Sequence, residues 1–388
     1  VTGTTTTGGD AAAGYRPRLR GGVLLSDPLL RGPRTVHLVK DPVSERAFEV
    51  GPREHFLISR MDGTRTLHEL GTDYADEFGK RLGEEHWGKM LGMLGTRRLL
   101  EGSPEPVPAS PHAANAANAA NSVDAKPSPR RNTALSGSIR MVADAHRTTT
   151  RLHGALRPLL SPWVMVPLLA AVAALEVAAL ARFGDLAAGT ARTFGEPAMV
   201  LALVCLLWLS TALHELAHGV TARHYGGRVG EIGLRWRLPL VMMYCTVEDF
   251  PYLATRWQRI ATAAAGAVTN LLFLLPFGAL WLLAPLDDLT ADLLAALLLL
   301  GTIQALAMLV PLSPLDGYKI TEQLLGTAQL ASSTRTWTML AARRDPAAAA
   351  YPARAQRVYG GYAALVVVSV CVLVMAVGLL FHALLTAT

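Results

Sequence analysis

Two kinds of hydrophobic spacing divide the chain. From residue 36 to 101 apolar positions come singly, in pairs or, at Phe56–Ile58, as three. From about 160 onward they come in runs, near 160–182, 197–218, 257–284, 292–311 and 358–385. Each run is long enough for the roughly 20 residues that a membrane-crossing helix needs. In the earlier region "VHLVKDPVSERAFEV" alternates on either side of Asp41-Pro42, as a β-hairpin does. "PREHFLISRM" then spaces Phe56, Leu57 and Met61 like a short helix, and "DGT" breaks it. "TLHELGTDYADEF" opens with Thr66 and Glu69 in capping-box spacing, and "GEEHWGKMLGMLGTRRLL" puts Trp87, Leu91 and Leu94 on one helical face. The pattern predicts a mainly α protein: a polytopic membrane bundle of about five transmembrane helices, preceded by a small α+β soluble domain over 36–101.

The rest of the chain reads as connection. Residues 1–35 are expected to be a flexible N-terminal segment. They lack the apolar core of a secretory signal peptide, so the domain after them is expected to start in the cytosol. Residues 102–138, rich in Pro, Ser, Ala and Asn with an AAN repeat, have almost nothing to bury and read as a disordered linker to a membrane domain at 139–388. The basic lead-in "IRMVADAHRTTTRLHGALRP" is either a helix lying on an anionic membrane face or a solvated approach to the first span.

Composition agrees with the membrane reading: 51% of the 388 residues are hydrophobic and 17% charged, with mean hydropathy +0.30. The net charge of +6 comes from basic residues beside the apolar runs rather than from a stripe with interleaved aromatics. Membrane lipids are therefore the expected counter-charge, and nucleic acid is not an expected partner. Arg140, Arg147, Arg151 and Arg157 precede the first run, the 219–256 and 312–357 loops are also basic, and the alternate loops are neutral or acidic. The positive-inside rule then predicts a multi-pass cell-membrane protein whose N-terminal domain and two basic loops are cytosolic. Cys205, Cys245 and Cys371 have no ligand-type spacing, and no disulfide is assigned.

The chemistry is concentrated in "STALHELAHGVTARHYGG", at the end of the second run. On a helix, His214 and His218 face the same way and can hold one Zn2+ ion, and Glu215 can reach a water on that ion as general base. Three ionisable groups at the end of an apolar span are costly unless they line a polar cavity with a function. From Pro197 to His214 a helix rises about 26 Å, so the histidines sit just inside one membrane boundary, near Ser210 and Thr211. Two residues compete as third ligand. His224 has a suitable spacing, but Thr221 stands where the chain would need a glycine to turn back, and a continuing helix puts His224 on the far face. Asp316, in "VPLSPLDGYKI", comes after a span running in the same direction and after the helix breakers Pro311 and Pro314, so it is favoured.

These residues resemble the site-2 protease family of intramembrane zinc metalloproteases. "HELAHGVTARHYG" carries H-E-x-x-H with Ala222 and Gly226, "LDG" at 315–317 is similar to the distal motif that supplies the third ligand, and "AAAGAVTN" is similar to a Gly-Pro-x-x-Asn element through Gly266 and Asn270. The resemblance covers roughly residues 160–330. It implies zinc held by His214, His218 and Asp316, catalysis by Glu215, and substrate binding by Asn270. Ala267 replaces a frequent proline, and Met308 an asparagine that would make a polar contact to substrate or active-site loop.

Residues 36–101, a hairpin and three helices ending in "RRLL", resemble winged-helix-like PqqD-type domains, which bind leader segments of ribosomally made precursor peptides. The resemblance implies a strand edge to which a leader adds. Together the two imply leader removal in the maturation of a ribosomal peptide, as in daptide-like pathways, with the precursor peptide as partner. "RVGEIGLRWRLPLVMMY" alternates as a second hairpin against which the scissile segment would lie. The alternatives are a non-catalytic membrane receptor or export partner for a modified precursor, and regulated proteolysis of a membrane-bound signalling protein.

Overall fold

The computed structural model describes residues 15–41, 43, 46–102, 133, 135–237 and 240–386. They belong to two compact units, Val1–Ser128 and Pro129–Thr388.

In the first unit, strand β3 (Arg34–Lys40) is central. β4 (Ala47–Val50) pairs with its second half, and β1 (Leu24–Leu25) and β2 (Leu29–Arg31) also pair with it, all antiparallel. The expected hairpin is therefore β3–β4. The expectation of a flexible segment through residue 35 is corrected, because β1 and β2 lie within it; its residues 1–14 are outside the described set. Short strands split by Ser26-Asp27-Pro28 give no sustained alternation, so periodicity alone could not reveal them. The chain continues into three helices: α1 (Pro52–Ile58), α2 (Leu67–Phe78) and α3 (Glu84–Thr96). Pro52 starts α1 at a position that needs no N–H. Thr66 and Glu69 close the capping box of α2, and Gly79 ends that helix at φ 67°. Val39, Phe48, Leu57, Ile58, Leu70 and Leu94 meet in one core.

The second unit begins with β5 (Ser136–Arg140), which pairs with β6 (Val229–Arg237), which pairs in turn with β7 (Leu240–Val247). The expected second hairpin is thus the larger part of a three-stranded antiparallel sheet. Its first strand lies partly inside the expected linker, most of which (103–132) is outside the described residues. "SGSIR" carries a single large apolar residue, which is why sequence pattern missed it. Helix α4 (Ala145–Leu156) packs on β6 through Ala145, Val229 and Ile232.

Among the described residues five helices are long and apolar enough to cross a membrane: α5 (Pro162–Ala181), α7 (Pro197–His224), α8 (Arg256–Leu283), α9 (Asp288–Met308) and the Ala353–Leu379 part of the last helix. The apolar window of α9 is 44% buried and that of the last helix 6%, so α9 is central and the last helix peripheral. Between α5 and α7 the chain forms an amphipathic helix, α6 (Phe183–Phe194), rather than an open loop. Leu186 and Gly189 seat it on α9, and Arg192 grips Asp292 with two bonds of 2.8 and 2.6 Å. After α9 the chain turns through Pro311 and Pro314 into α10 (Asp316–Leu325), then α11 (Leu330–Ala342), α12 (Pro346–Ala349) and α13 (Ala353–Thr386).

In the first unit His55 stacks on His37 with ring centroids 3.6 Å apart. Burial, then the charges of His37 and Arg60, push the His55 pKa from 6.5 down to about 4. Between those values the unfolded chain binds more protons, so the His55 contribution to stability is present above about 6.5 and is lost as pH falls towards 4. Pulse proteolysis of the full chain across this window is expected to show the first unit becoming more susceptible as pH drops. In His55→Gln that pH dependence should shrink; an unchanged profile would exclude His55 as its source.

Candidate metal centre

The α7 helix runs unbroken from Pro197 to His224, so its polar positions fall on faces set by helical spacing alone. His214 and His218, one turn apart, present their Nε2 atoms 3.2 Å from each other. Asp316 arrives from the other side as the first residue of α10, where the positive end of the helix dipole favours its anion. Its Oδ2 lies 2.9 Å from His214 Nε2 and 3.1 Å from His218 Nε2. All three residues are buried. Gly317 makes the approach possible: a Cβ there would strike the carbonyl oxygens of Leu309 and Val310.

Helix α8 holds the imidazoles from behind. His218 Nδ1–H donates to the Thr262 carbonyl at 2.7 Å, which fixes the tautomer with Nε2 facing Asp316. One turn along α8, Gly266 lies under the His214 ring, and a Cβ there would come within 2.5 Å of Nε2. A further turn along, the Asn270 amide lies 3.2 Å from His214 Nδ1 and 3.0 Å from Ser210 Oγ. Thr262, Gly266 and Asn270 form one stripe at i, i+4 and i+8. It locks both rings with their Nε2 atoms on the same side.

Three donor atoms 2.9 to 3.2 Å apart fit a tetrahedral zinc, whose bonds of about 2.0–2.1 Å put neighbouring ligand atoms about 3.3 Å apart. The donor set, two imidazoles and a carboxylate, suits zinc and leaves a fourth position open. With Nε2 committed to a metal, His214 Nδ1 carries the proton. The Asn270 amide, whose NH2 faces His214 Nδ1 and whose oxygen accepts from Ser210 Oγ as placed, would then turn over to offer its oxygen to His214 and its NH2 to Ser210. Burial works to raise the Asp316 carboxyl, but the hydrogen bonds of His214 and His218 and the Lys319 charge overcome it and hold the group well below the usual carboxylate range. Lys319 Nζ takes the outer oxygen, Oδ1, at 3.3 Å.

Residues 202–289 match the model of Peptidase family M50. No curated protein and no solved structure matches the chain. The M50 match runs from residue 202 within α7 through the α8 stripe and stops short of Asp316. It supports a site-2-type membrane metalloprotease in this part of the chain, and together with the five apolar helices a multi-pass membrane protein. M50 peptidases are zinc metalloproteases, in keeping with the donor set assembled by His214, His218 and Asp316.

The structure brings these three residues together, with Glu215 beside them on α7 and not in the converging set. Glu215 Oε2 accepts from the Cys245 N–H of β7 at 3.2 Å. His224 lies apart: its Nδ1 is 3.2 Å from His153 Nε2 of α4. Asn270, expected to contact substrate, is 1% exposed and faces His214, so its amide orients an imidazole instead. Ala267 is buried inside an uninterrupted α8, and Met308 ends α9. One turn before Met308, Gln304 donates to Thr211 Oγ1 at 2.7 Å, a polar contact inside an apolar helix that sequence reading passed over. Its only signal was an amide among leucines and alanines.

Asn270→Ala is expected to weaken metal binding roughly 10–100-fold in chelator competition. Gly266→Ala, by driving a methyl group into the His214 ring, should reduce metal content further. Full affinity in both variants would show that α8 does not hold the imidazoles in place.

Proposed function

We propose that the chain is a zinc endopeptidase that removes the leader of a ribosomally synthesised precursor peptide at the membrane. The observation that carries the proteolytic part is the convergence of His214, His218 and Asp316 beside Glu215 and within one hydrogen bond of the edge strand β7. His214, His218 and Asp316 would hold a zinc ion, which when bound would supply Lewis acidity to a water and to the scissile carbonyl. Glu215 accepts a proton from the attacking water and passes it to the amide nitrogen as the C–N bond breaks. The second water proton follows to the amine, so the products are a carboxylate and an ammonium group, and Glu215 returns to its starting state. The Gln304–Thr211 pair and Ser210 supply polar surroundings to an end of α7 whose earlier turns are apolar.

The substrate assignment rests on the first unit. β4 covers β3 only from His37 to Lys40, so on that side no strand among the described residues pairs with Arg34–Val36, which lie beside a groove lined by Thr35, Val36, Val50 and Pro52. An extended leader can add to such an edge and set its side chains in the groove. The Pro- and Ala-rich segment between the units acts as a tether that raises the local precursor concentration to about millimolar. Basic loops before α5, between α7 and α8 and after α9 support a cytosolic orientation for the catalytic ends of the helices and for the first unit.

Two measurements test this reading. In proteoliposomes, Glu215→Gln should cut cleavage of a precursor peptide encoded beside the chain's gene by roughly 10²–10⁴-fold, with metal content unchanged. Undiminished processing would sink the hydrolytic mechanism and favour a receptor role. Deleting residues 15–102 should raise KM for the full precursor by more than about tenfold while leaving unaffected a short peptide that keeps the scissile bond but lacks the rest of the leader. Equal KM values would remove the leader-binding assignment.

A further inference from the structure

Strand β7 is bonded by β6 on one side and, among the described residues, by no strand on the other. Its register pairs Cys245 with Ile232, Met243 with Leu234 and Val241 with Trp236. The N–H of Cys245 and the C=O of Val241 both turn away from β6: the first donates to Glu215 Oε2 at 3.2 Å, and the second accepts from Trp208 Nε1 at 3.4 Å. Antiparallel alternation puts the N–H and C=O of Met243 on that same side. Trp208 and Glu215 lie two helical turns apart on α7. Their side chains thus occupy both ends of the edge that an extended peptide would use.

An N–H makes one good hydrogen bond, so Glu215 and a docked peptide carbonyl compete for the Cys245 donor. A carboxylate beside a buried metal centre is also costly to leave without a donor. Glu215 therefore stays on Cys245 until another donor is offered.

We infer that the Cys245 N–H holds Glu215 in a resting position, and that an extended peptide adding to β7 takes over this N–H and frees the carboxylate for the attacking water. The inference rests on the protease reading above. It makes substrate docking and release of the base a single event, so the enzyme discriminates by the backbone a substrate can lay along β7. Peptides that span only the scissile bond dock without displacing Glu215 and turn over slowly. The Cys245 thiol takes no part, since burial first and then the Glu215 charge push it up to about 12.

The test uses the full chain in lipid nanodiscs with two fluorogenic peptides, one limited to the residues around the scissile bond and one extended by a β7-length segment. Cys245→Pro removes the donor without breaking the ladder to β6, because this N–H points to the free edge, where proline is tolerated. Cys245→Ala keeps the donor and controls for loss of the thiol. Wild type and Cys245→Ala should favour the long peptide in kcat by about tenfold or more, whereas Cys245→Pro should raise kcat on the short peptide about fivefold and bring the ratio near one. A ratio unchanged in Cys245→Pro, or an equal fall on both peptides, overturns the inference alone. Wild-type protein that cleaves neither peptide overturns the protease reading with it. Should Cys245→Pro not fold, hydrogen exchange replaces it: in Glu215→Ala the Cys245 amide should exchange faster than in wild type, and the long peptide should restore protection. Exchange that ignores the long peptide overturns the inference.

Discussion

Two imidazoles at the end of an apolar helix and a carboxylate facing them are all buried, and an unpartnered polar group in that setting costs several kcal/mol. Each therefore needs a protein partner for the nitrogen or oxygen that does not face the centre. Here α8 supplies the Thr262 carbonyl to His218 and the Asn270 amide to His214, and Lys319 takes the outer oxygen of Asp316. These three outward bonds direct His214 Nε2, His218 Nε2 and Asp316 Oδ2 at one another, and they explain features elsewhere. Gly266 has no side chain because the His214 ring lies where a Cβ would be. Gly317 has none because α10 must start against the carbonyls that end α9. The leucine-rich α9 and the amphipathic α6 share one core with α7 and α8 at the far end of the bundle from these contacts.

The centre also sits where two kinds of structure meet. The α7 helix brings apolar surface to one end and the metal-binding face to the other, while the β5–β6–β7 sheet reaches Glu215 through a backbone N–H. A strand edge beside Glu215, the proposed general base, would give an extended peptide a place to bind without side-chain recognition. Selection among sequences then falls to whatever brings the peptide there, the role proposed for the first unit.

Much of this was legible in the sequence where a single periodic rule applied. His214 and His218 share a face because four residues make about one helical turn, and the same counting moves His224 to another face, where it meets His153. Asp316 could be reached through the direction and depth of two spans. The features that escaped depended on partners rather than period. The Asn270 amide looks the same in sequence whether it faces substrate or an imidazole, and only packing against α7 decides. β1, β2 and β5 are short and take their hydrogen bonds from strands already in place, so they carry no alternation of their own. Helix α6 reads as a neutral loop because its buried face is built of Ala, Gly and Thr as much as Leu.

The central claim is that Asp316, about a hundred residues away in sequence, completes the metal site begun by His214 and His218. X-ray absorption at the zinc edge of the purified full chain tests it most directly. The expected result is two imidazole nitrogens and protein oxygen at about 2.0–2.1 Å, the same in His224→Ala, and loss of zinc in Asp316→Ala. A third imidazole that disappears in His224→Ala, with zinc retained in Asp316→Ala, would contradict it.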